Sequence, residues 1–374
     1  MSSGTYDVAI VGGGIIGAAC AAEFVAEKLR AAVIEERGVG TGATNAGMGH
    51  LLVLDDSEPQ LILTSYSLTL WDRLSGQLAP ECQFWRCGTV WVAEDEQELD
   101  AARERCGVFR SHGVAAQLLD ASGLAEAEPR LRPGFAGGLL VTGDAAIVPP
   151  RVAKFLFAKA RERGAEIIFR RAIRLNDDGL LLSDGSTISA AAYINAAGTA
   201  AALLTPGLPI RARKGHIVVL HPPPDFARQQ VMELGYIKSA HAGEEQDSVA
   251  FAVRQNRDGE LLVGSSRQYG SNDPQVEPRM IERMLKRAIA FMPDLAGLPE
   301  LRSWAGFRAG TPDGLPLIGL CPGSQRVYAA TGHEGLGATT SLATARLLVD
   351  AILNREPEIS AAPYLPSRFA AQEL

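Results

Sequence analysis

No stretch of this 374-residue chain approaches the ~20 consecutive apolar residues that a membrane span requires, so no transmembrane helix is expected. Positive charge is not in excess: the formal net charge is −7, which disfavours nucleic acid as a partner. Cysteine is scarce and scattered. Cys20, Cys82, Cys87, Cys106 and Cys321 form no Cys-x-x-Cys pair, and their spacing matches no disulfide framework, zinc site or iron–sulfur cluster. No metal is expected. Cys20 lies in an apolar helical stretch and reads as a small core residue. Internal repeats and low-complexity linkers are missing, which implies domains that interleave rather than follow one another. A signal-peptide pattern is missing too, so the expected location is the cytoplasm, with at most peripheral association with the inner membrane face. What is present is an ordinary globular composition, 47% hydrophobic and 21% charged, with length enough for two domains with sizeable cores.

The strongest positive signal comes early. Val8-Ala9-Ile10-Val11 runs into Gly12-Gly13-Gly14-Ile15-Ile16-Gly17, and a second apolar run, Ala31 to Ile34, ends at Glu35 and Glu36. This is the strand, glycine turn, helix, strand, acid layout of a dinucleotide-binding unit. Gly12 permits the tight turn, Gly14 lets backbone approach a pyrophosphate, and Gly17 lets helix and strand pack closely. Free N–H groups and positive dipole at the helix start suit phosphates. Glu35 suits ribose hydroxyls and repels a 2′-phosphate, which argues against NADP. The motif alone does not choose between NAD and FAD.

Further along, helices are expected from Gly14 to Leu29, over 60–76 and 95–112, from Arg151 to Arg163 with Gly164 past its end, and from Pro278 to Met292. Met280, Met284 and Met292 in the last of these read as core filler. Strands are expected from Phe84 to Ala93, over 166–169, 179–182 and 192–198, and in alternation from Lys214 to Ser266. Ile147-Val148-Pro149-Pro150 reads as a break. The chain ends in a strand, Arg326 to Ala330, a glycine-rich turn, Thr331 to Gly337, and a long helix to Leu353.

Four segments, in order along nearly the whole chain, resemble the D-amino-acid oxidase-like FAD oxidoreductases, the group that includes glycine oxidase, sarcosine oxidase and the FAD subunits of opine and hydroxyproline dehydrogenases. They are Gly12 to Gly17 with Glu35; Gly42-Ala43-Thr44-Asn45-Ala46-Gly47; Asn195-Ala196-Ala197-Gly198; and Arg308 to Gly319 followed by Thr331-Gly332-His333 and a glycine turn. Thr199-Ala200-Ala201 lacks the aromatic that the family usually places after Ala-Ala-Gly. The resemblance implies a Rossmann-like FAD-binding domain (1–82, 145–213 and 304–374) interleaved with a smaller α+β substrate domain on an antiparallel sheet (83–144 and 214–303).

FAD lying extended needs contacts at both ends, and these segments supply them. The expected cofactor-binding residues are Gly12, Gly14, Ile15, Ile16, Gly17, Glu35 and Glu36 for the ADP half. Ala43, Thr44, Asn45, Ala46, Gly47 and Met48 serve the pyrophosphate and ribityl chain. Ala197 and Gly198 lie where backbone passes close. His333, Gly335, Leu336, Gly337, Ala338 and Thr339 open the last helix, whose N-terminus can face flavin N1 and the C2 carbonyl. Sarcosine oxidase relatives anchor flavin through a cysteine just before the Thr-Pro-Asp segment. Ala305-Gly306-Phe307-Arg308 has none, and Cys321 falls after it, so the FAD is expected to be non-covalent.

By resemblance to glycine oxidase, Arg308 stands where an arginine holds the substrate carboxylate, a task that suits the guanidinium fork. Arg254 is a second candidate clamp, and His50, following the FAD loop, a third substrate-side residue. His216 reads as structural, and Tyr236 and Tyr269 are placed by nothing in the sequence. No catalytic side chain is required, since the flavin carries the chemistry. The implied activity is oxidation of the C–N bond of a small D-amino or imino acid such as D-proline, D-hydroxyproline, sarcosine, glycine or an opine. The preferred reading is a dehydrogenase, as one subunit of a heteromeric enzyme or alone, with its electron acceptor open. The alternatives are a stand-alone glycine or D-amino-acid oxidase using oxygen, a non-catalytic flavin-holding subunit, and an NAD-linked dehydrogenase.

Overall fold

The computed structural model describes residues 6–235 and 247–372. Tyr236 lies outside the described residues. Two large sheets organise the chain. The first has six strands in the order Leu317–Leu320, Val327–Thr331, Ala190–Asn195, Tyr6–Val11, Ala31–Glu35 and Glu166–Phe169. All neighbours are parallel except the first pair. A parallel sheet needs both faces covered, which is why Val8 to Val11 is continuously apolar. Val8 and Ile10 join a core with the helices Ile15–Ala26, Pro149–Glu162 and Gly337–Ile352, while Ala9 and Val11 join another that holds Leu180, Leu182 and Tyr193. The alternation of one strand thus feeds two layers. Cys20 is buried in the first of these cores, as expected.

The second sheet has eight strands in the order Glu300–Gly310, Arg211–Leu220, Leu261–Arg267, Ser248–Gln255, Gln230–Glu233, Thr89–Ala93, Gly137–Val141 and Ala116–Asp120. It is antiparallel apart from one parallel pair, Gln230–Glu233 on Thr89–Ala93. Helix Pro278–Phe291 covers one face with Met280, Ile281 and Met284 buried, and Phe291 stacks between Phe135 and Phe251 at 5.1 and 4.5 Å. Val218 and Val263 point to that helix, whereas Val219 and Leu262 point the other way, toward Met48 of the nucleotide-binding part. No helix among the described residues is long and apolar enough to cross a membrane.

Several expectations shift. The domain limits drawn at 213/214 and 303/304 cut through Arg211–Leu220 and Glu300–Gly310, which pair from Arg211↔Gly310 to Leu220↔Glu300. The second sheet therefore runs on to Gly310. Pro149 and Pro150 do not break the chain but start the helix that was expected at Arg151, because the first helical positions need no N–H. The strand expected from Phe84 begins only at Thr89. The first helix stops at Ala26, with Lys28 left-handed just beyond.

Candidate active site

At the nucleotide end, strand Tyr6–Val11 turns into helix Ile15–Ala26 through Gly12, whose φ of +115° few side chains tolerate. A Cβ on Gly12 would lie 2.8 Å from the carbonyl carbon of Ala196, and one on Gly17 would strike the carbonyl of Gly12. Gly14 caps the helix without a side-chain bond, so the first turn is left bare apart from the Ile15 N–H, which donates to Thr44 Oγ1 at 3.0 Å. The Glu35 carboxylate faces this turn: Oε2 accepts from the Gly13 N–H at 2.6 Å, and Oε1 from those of Arg37 and Gly38 at 2.8 and 3.1 Å. Glu36 points elsewhere, toward Arg37 and Arg171 at 3.5 and 3.7 Å on the surface. Asn195 ends its strand by donating to the Ala201 carbonyl at 2.9 Å and accepting from the Ala197 N–H at 3.3 Å, which shapes the turn at Gly198.

The loop after Glu35 makes one helical turn, Ala43–Ala46, seated on strand Glu300–Gly310. Trp304 Nε1 donates to the Ala46 carbonyl at 3.2 Å. Gly306 leaves room for the Ala46 methyl, and Gly264 for the Met48 sulfur, 2.8 Å from where a Cβ would stand. A second bare helix start faces the same region. Leu336 caps Gly337–Ile352 with no side-chain bond, leaving the N–H groups of Gly337 and Ala338 uncapped. Thr339 is buried, donating to the His50 carbonyl at 3.1 Å and accepting from the Leu52 N–H at 3.3 Å, so only its backbone is left to face a ligand. His333 likewise turns inward, its Nε2 bonded to Thr344 Oγ1 at 2.9 Å, and burial drives its pKa down to about 3. The cradle of glycines, two uncapped helix N-termini and a carboxylate beside the first of them suit an extended dinucleotide with a charged middle.

Arg308 lies close to the turn before helix Gly337–Ile352. Its guanidinium lies over Gly215, where a Cβ would stand 2.7 Å from Cζ and Nη2. Nη1 donates to the Ser266 carbonyl at 3.0 Å, and a Cβ on Gly335 would lie 4.0 Å from Nε. Beside it is a group that the sequence did not single out. Glu334, just before Gly335, is left-handed at φ +48° and 14% exposed. It meets Arg213 at 2.9 Å and Arg267 at 3.2 Å. Burial pushes its carboxyl up, but the charges of Arg267, Arg213 and Arg308 prevail and hold it below the usual range. Arg213 also donates to the Thr311 carbonyl at 3.3 Å and lies over the Tyr269 ring at 5.4 Å.

His50 and Arg254 come together at a different place. Arg254 is 3% exposed, and burial lowers its pKa to about 10. The pKa of His50 falls to about 3, through burial first and the charge of Arg254 second. His216 is fully engaged in structure: Nδ1 meets Ser266 Oγ at 3.0 Å, and Nε2 accepts from the Glu277 N–H at 3.2 Å. Cys321 is buried beneath the first sheet.

Residues 7–351 match the FAD dependent oxidoreductase family (DAO). Over its length the chain is similar to a glycine oxidase of Geobacillus kaustophilus (strain HTA426), 29% identical with 97% of each chain covered. A crystal structure of glycine oxidase from Geobacillus kaustophilus superposes with a TM-score of 0.87 at 28% identity, covering 97% of this chain and 99% of that one. A D-amino acid dehydrogenase of Methylobacterium sp. (strain 4-46) is 30% identical over 75% of this chain and 67% of its own.

Proposed function

This chain belongs to the FAD dependent oxidoreductase family, an enzyme whose cofactor is FAD, and from that premise we propose that it oxidises the C–N bond beside the carboxylate of a small amino or imino acid. The observation that carries the reading is Arg308, held over bare Gly215 and beside the Gly335 turn. A guanidinium fork matches the geometry of a planar carboxylate, and a carboxylate held there has its neighbouring Cα–H aligned. Glycine oxidases and a D-amino acid dehydrogenase among the relatives support the substrate class. When bound, the flavin supplies the hydride acceptor. The chain's own part is placement. Arg308 anchors the acid, Met48 and Trp304 help to close the site against water, and the uncapped N–H groups of Gly337 and Ala338 favour negative charge at the cofactor. The FAD-binding set of the opening motif, the Ala43–Gly47 loop and the last helix holds a dissociable cofactor in this reading.

The preferred form is a dehydrogenase acting on D-proline, D-hydroxyproline or a similar imino acid, alone or with partner subunits, in the cytoplasm. The end-to-end likeness to glycine oxidase favours a second form that reduces oxygen directly. Holoenzyme given glycine, sarcosine, D-alanine, D-proline and D-hydroxyproline, with oxygen uptake and dye reduction followed separately, distinguishes the two. Dye reduction without peroxide supports the dehydrogenase. Arg308→Lys should raise KM for every carboxylate substrate by roughly tenfold or more, since the two-pronged pairing is lost. An unchanged KM overturns the assignment of Arg308.

A further inference from the structure

We propose that Arg254 and His50 form a second anion-binding subsite that takes a distal carboxylate, so that the favoured substrate is an amino or imino acid carrying two carboxylates. The inference rests on the reading of Arg308 as the clamp for the first carboxylate.

Arg254 lies in strand Ser248–Gln255, paired directly with Leu262. Cross-strand partners share a face, so Arg254 belongs to the face on which Leu262 packs against Met48. Arg308 is on that face too, two residues beyond Gly306, which abuts Ala46. Yet the two arginines are differently placed. Among the described residues the Arg254 side chain makes no hydrogen bond or ion pair, and its buried Nε has no partner. The Nε2 of His50 is buried without a partner as well. The fold brings the two residues to one place: the pairing of Val231 with Val253 sets Gln230 beside Arg254, Gln230 Nε2 donates to the Ala145 carbonyl at 3.0 Å, and Ala145–Ala146 pairs with His50–Leu51. Two unsatisfied polar groups side by side in a buried place are costly unless something binds them. Cys87, a titratable group near Arg254, supplies no counter-charge, because burial pushes its thiol up to about 12. What fits is an anion that accepts from a guanidinium and an imidazole together, which describes a carboxylate.

The separation suits one substrate reaching both arginines. The head of Arg308 is at the Ser266 carbonyl and Arg254 is opposite Leu262, four residues along the same strand. That is about 13 Å of backbone, of which a guanidinium–carboxylate contact at each end takes up about 3 Å, leaving a span on the scale of an N-carboxyalkyl amino acid. Met48 lies between them against Gly264, an unbranched side chain that adapts to what passes it.

The test uses holoenzyme and non-reacting acids, read by the change in flavin absorbance as each binds. Glutarate and succinate are compared with butyrate and acetate, and inorganic phosphate is included as the competing source of an anion. Wild type should bind each diacid roughly 30-fold more tightly than its monoacid, and Arg254→Met should erase most of that ratio. Arg308→Met should weaken both classes together. Equal affinity for mono- and diacids in wild type, an unchanged ratio in Arg254→Met, or competition by phosphate alone would overturn the subsite. If Arg308→Met alters neither class, it is the clamp reading that fails, and the ratio in Arg254→Met still decides the subsite. A thermal melt of the cofactor-free protein gives a second readout. An uncompensated buried charge should be relieved by Arg254→Met, raising Tm or leaving it in place, whereas a marked fall in Tm would mean that Arg254 is bonded within the fold and would refute the proposal.

Discussion

Gly215→Ala tests the placement of Arg308 without touching Arg308 itself. The backbone at Gly215 is an ordinary strand pairing with Gly306, so alanine is tolerated there and fits a strand better than glycine does. The added methyl carbon, however, would stand 2.7 Å from Cζ and Nη2 of Arg308. Carbon contacts settle at about 3.5 Å or more, so the guanidinium must retreat by about 1 Å. The bond from Nη1 to the Ser266 carbonyl, 3.0 Å long, stretches beyond hydrogen-bonding range with that shift. What moves is the far end of a flexible side chain, so stability should change by less than about 1 kcal/mol. A displacement of this size in a positioning group costs roughly 100-fold in catalysis. Steady-state assays with a small amino acid, beside a thermal melt and flavin absorbance, separate the effects. The expected result is kcat/KM down about 100-fold, mostly through KM, with Tm and flavin content held. A kcat/KM within threefold of wild type would refute the view that Arg308 works from its position over Gly215.

Two further outcomes concern stability. Glu334→Leu strips Arg213 and Arg267 of the carboxylate they share and should cost about 3 kcal/mol in urea denaturation, as removing one partner of a buried ion pair does; a loss below about 1 kcal/mol would show that the pair is not structural. Asp144 is fully buried and its carboxyl is pushed up to about 7 by burial, from 3.8. The folded state then holds a proton that the unfolded state releases, so its contribution falls as pH rises between those values, by at most about 4 kcal/mol. Asp144→Asn keeps an acceptor for the Val53 N–H and should flatten this slope between about pH 4 and pH 8; an unchanged slope would mean that Asp144 is ionised when buried.

The nucleotide-binding half was legible because its signals are local. A continuous apolar strand, three glycines at fixed spacing and an acid after the next strand all fall within residues 8–35, and each has its own physical reason. The sheet opposite was harder to read. Strand Glu300–Gly310 contains Arg302, Arg308, Trp304 and two glycines, and its burial pattern is neither alternating nor continuous. It is a strand because it pairs with Arg211–Leu220 along its whole length, a partner ninety residues away. Pairing of that kind leaves no period in the sequence, and limits drawn at 213/214 and 303/304 therefore fall inside two paired strands.

The site divides along the same line. Residues proposed to act through backbone, such as Gly12 and Gly337, announce themselves by being glycine. Residues that act through their neighbours do not. Glu334 sits in His333-Glu334-Gly335-Leu336-Gly337, a sequence that reads only as a turn, and nothing local says that Arg213 and Arg267 will converge on it from two other strands. Gly215 is the instructive case. In the sequence it is one glycine among 39, next to a lysine and a histidine that draw the eye. In the fold Lys214 and His216 turn to the Glu277 side, and Gly215 alone faces Arg308. Alternation along a strand sends neighbours to opposite faces, so the position beside Arg308 is the one with no side chain. The glycine leaves the space that the Arg308 guanidinium fills, and Arg308 is the residue we propose as the clamp.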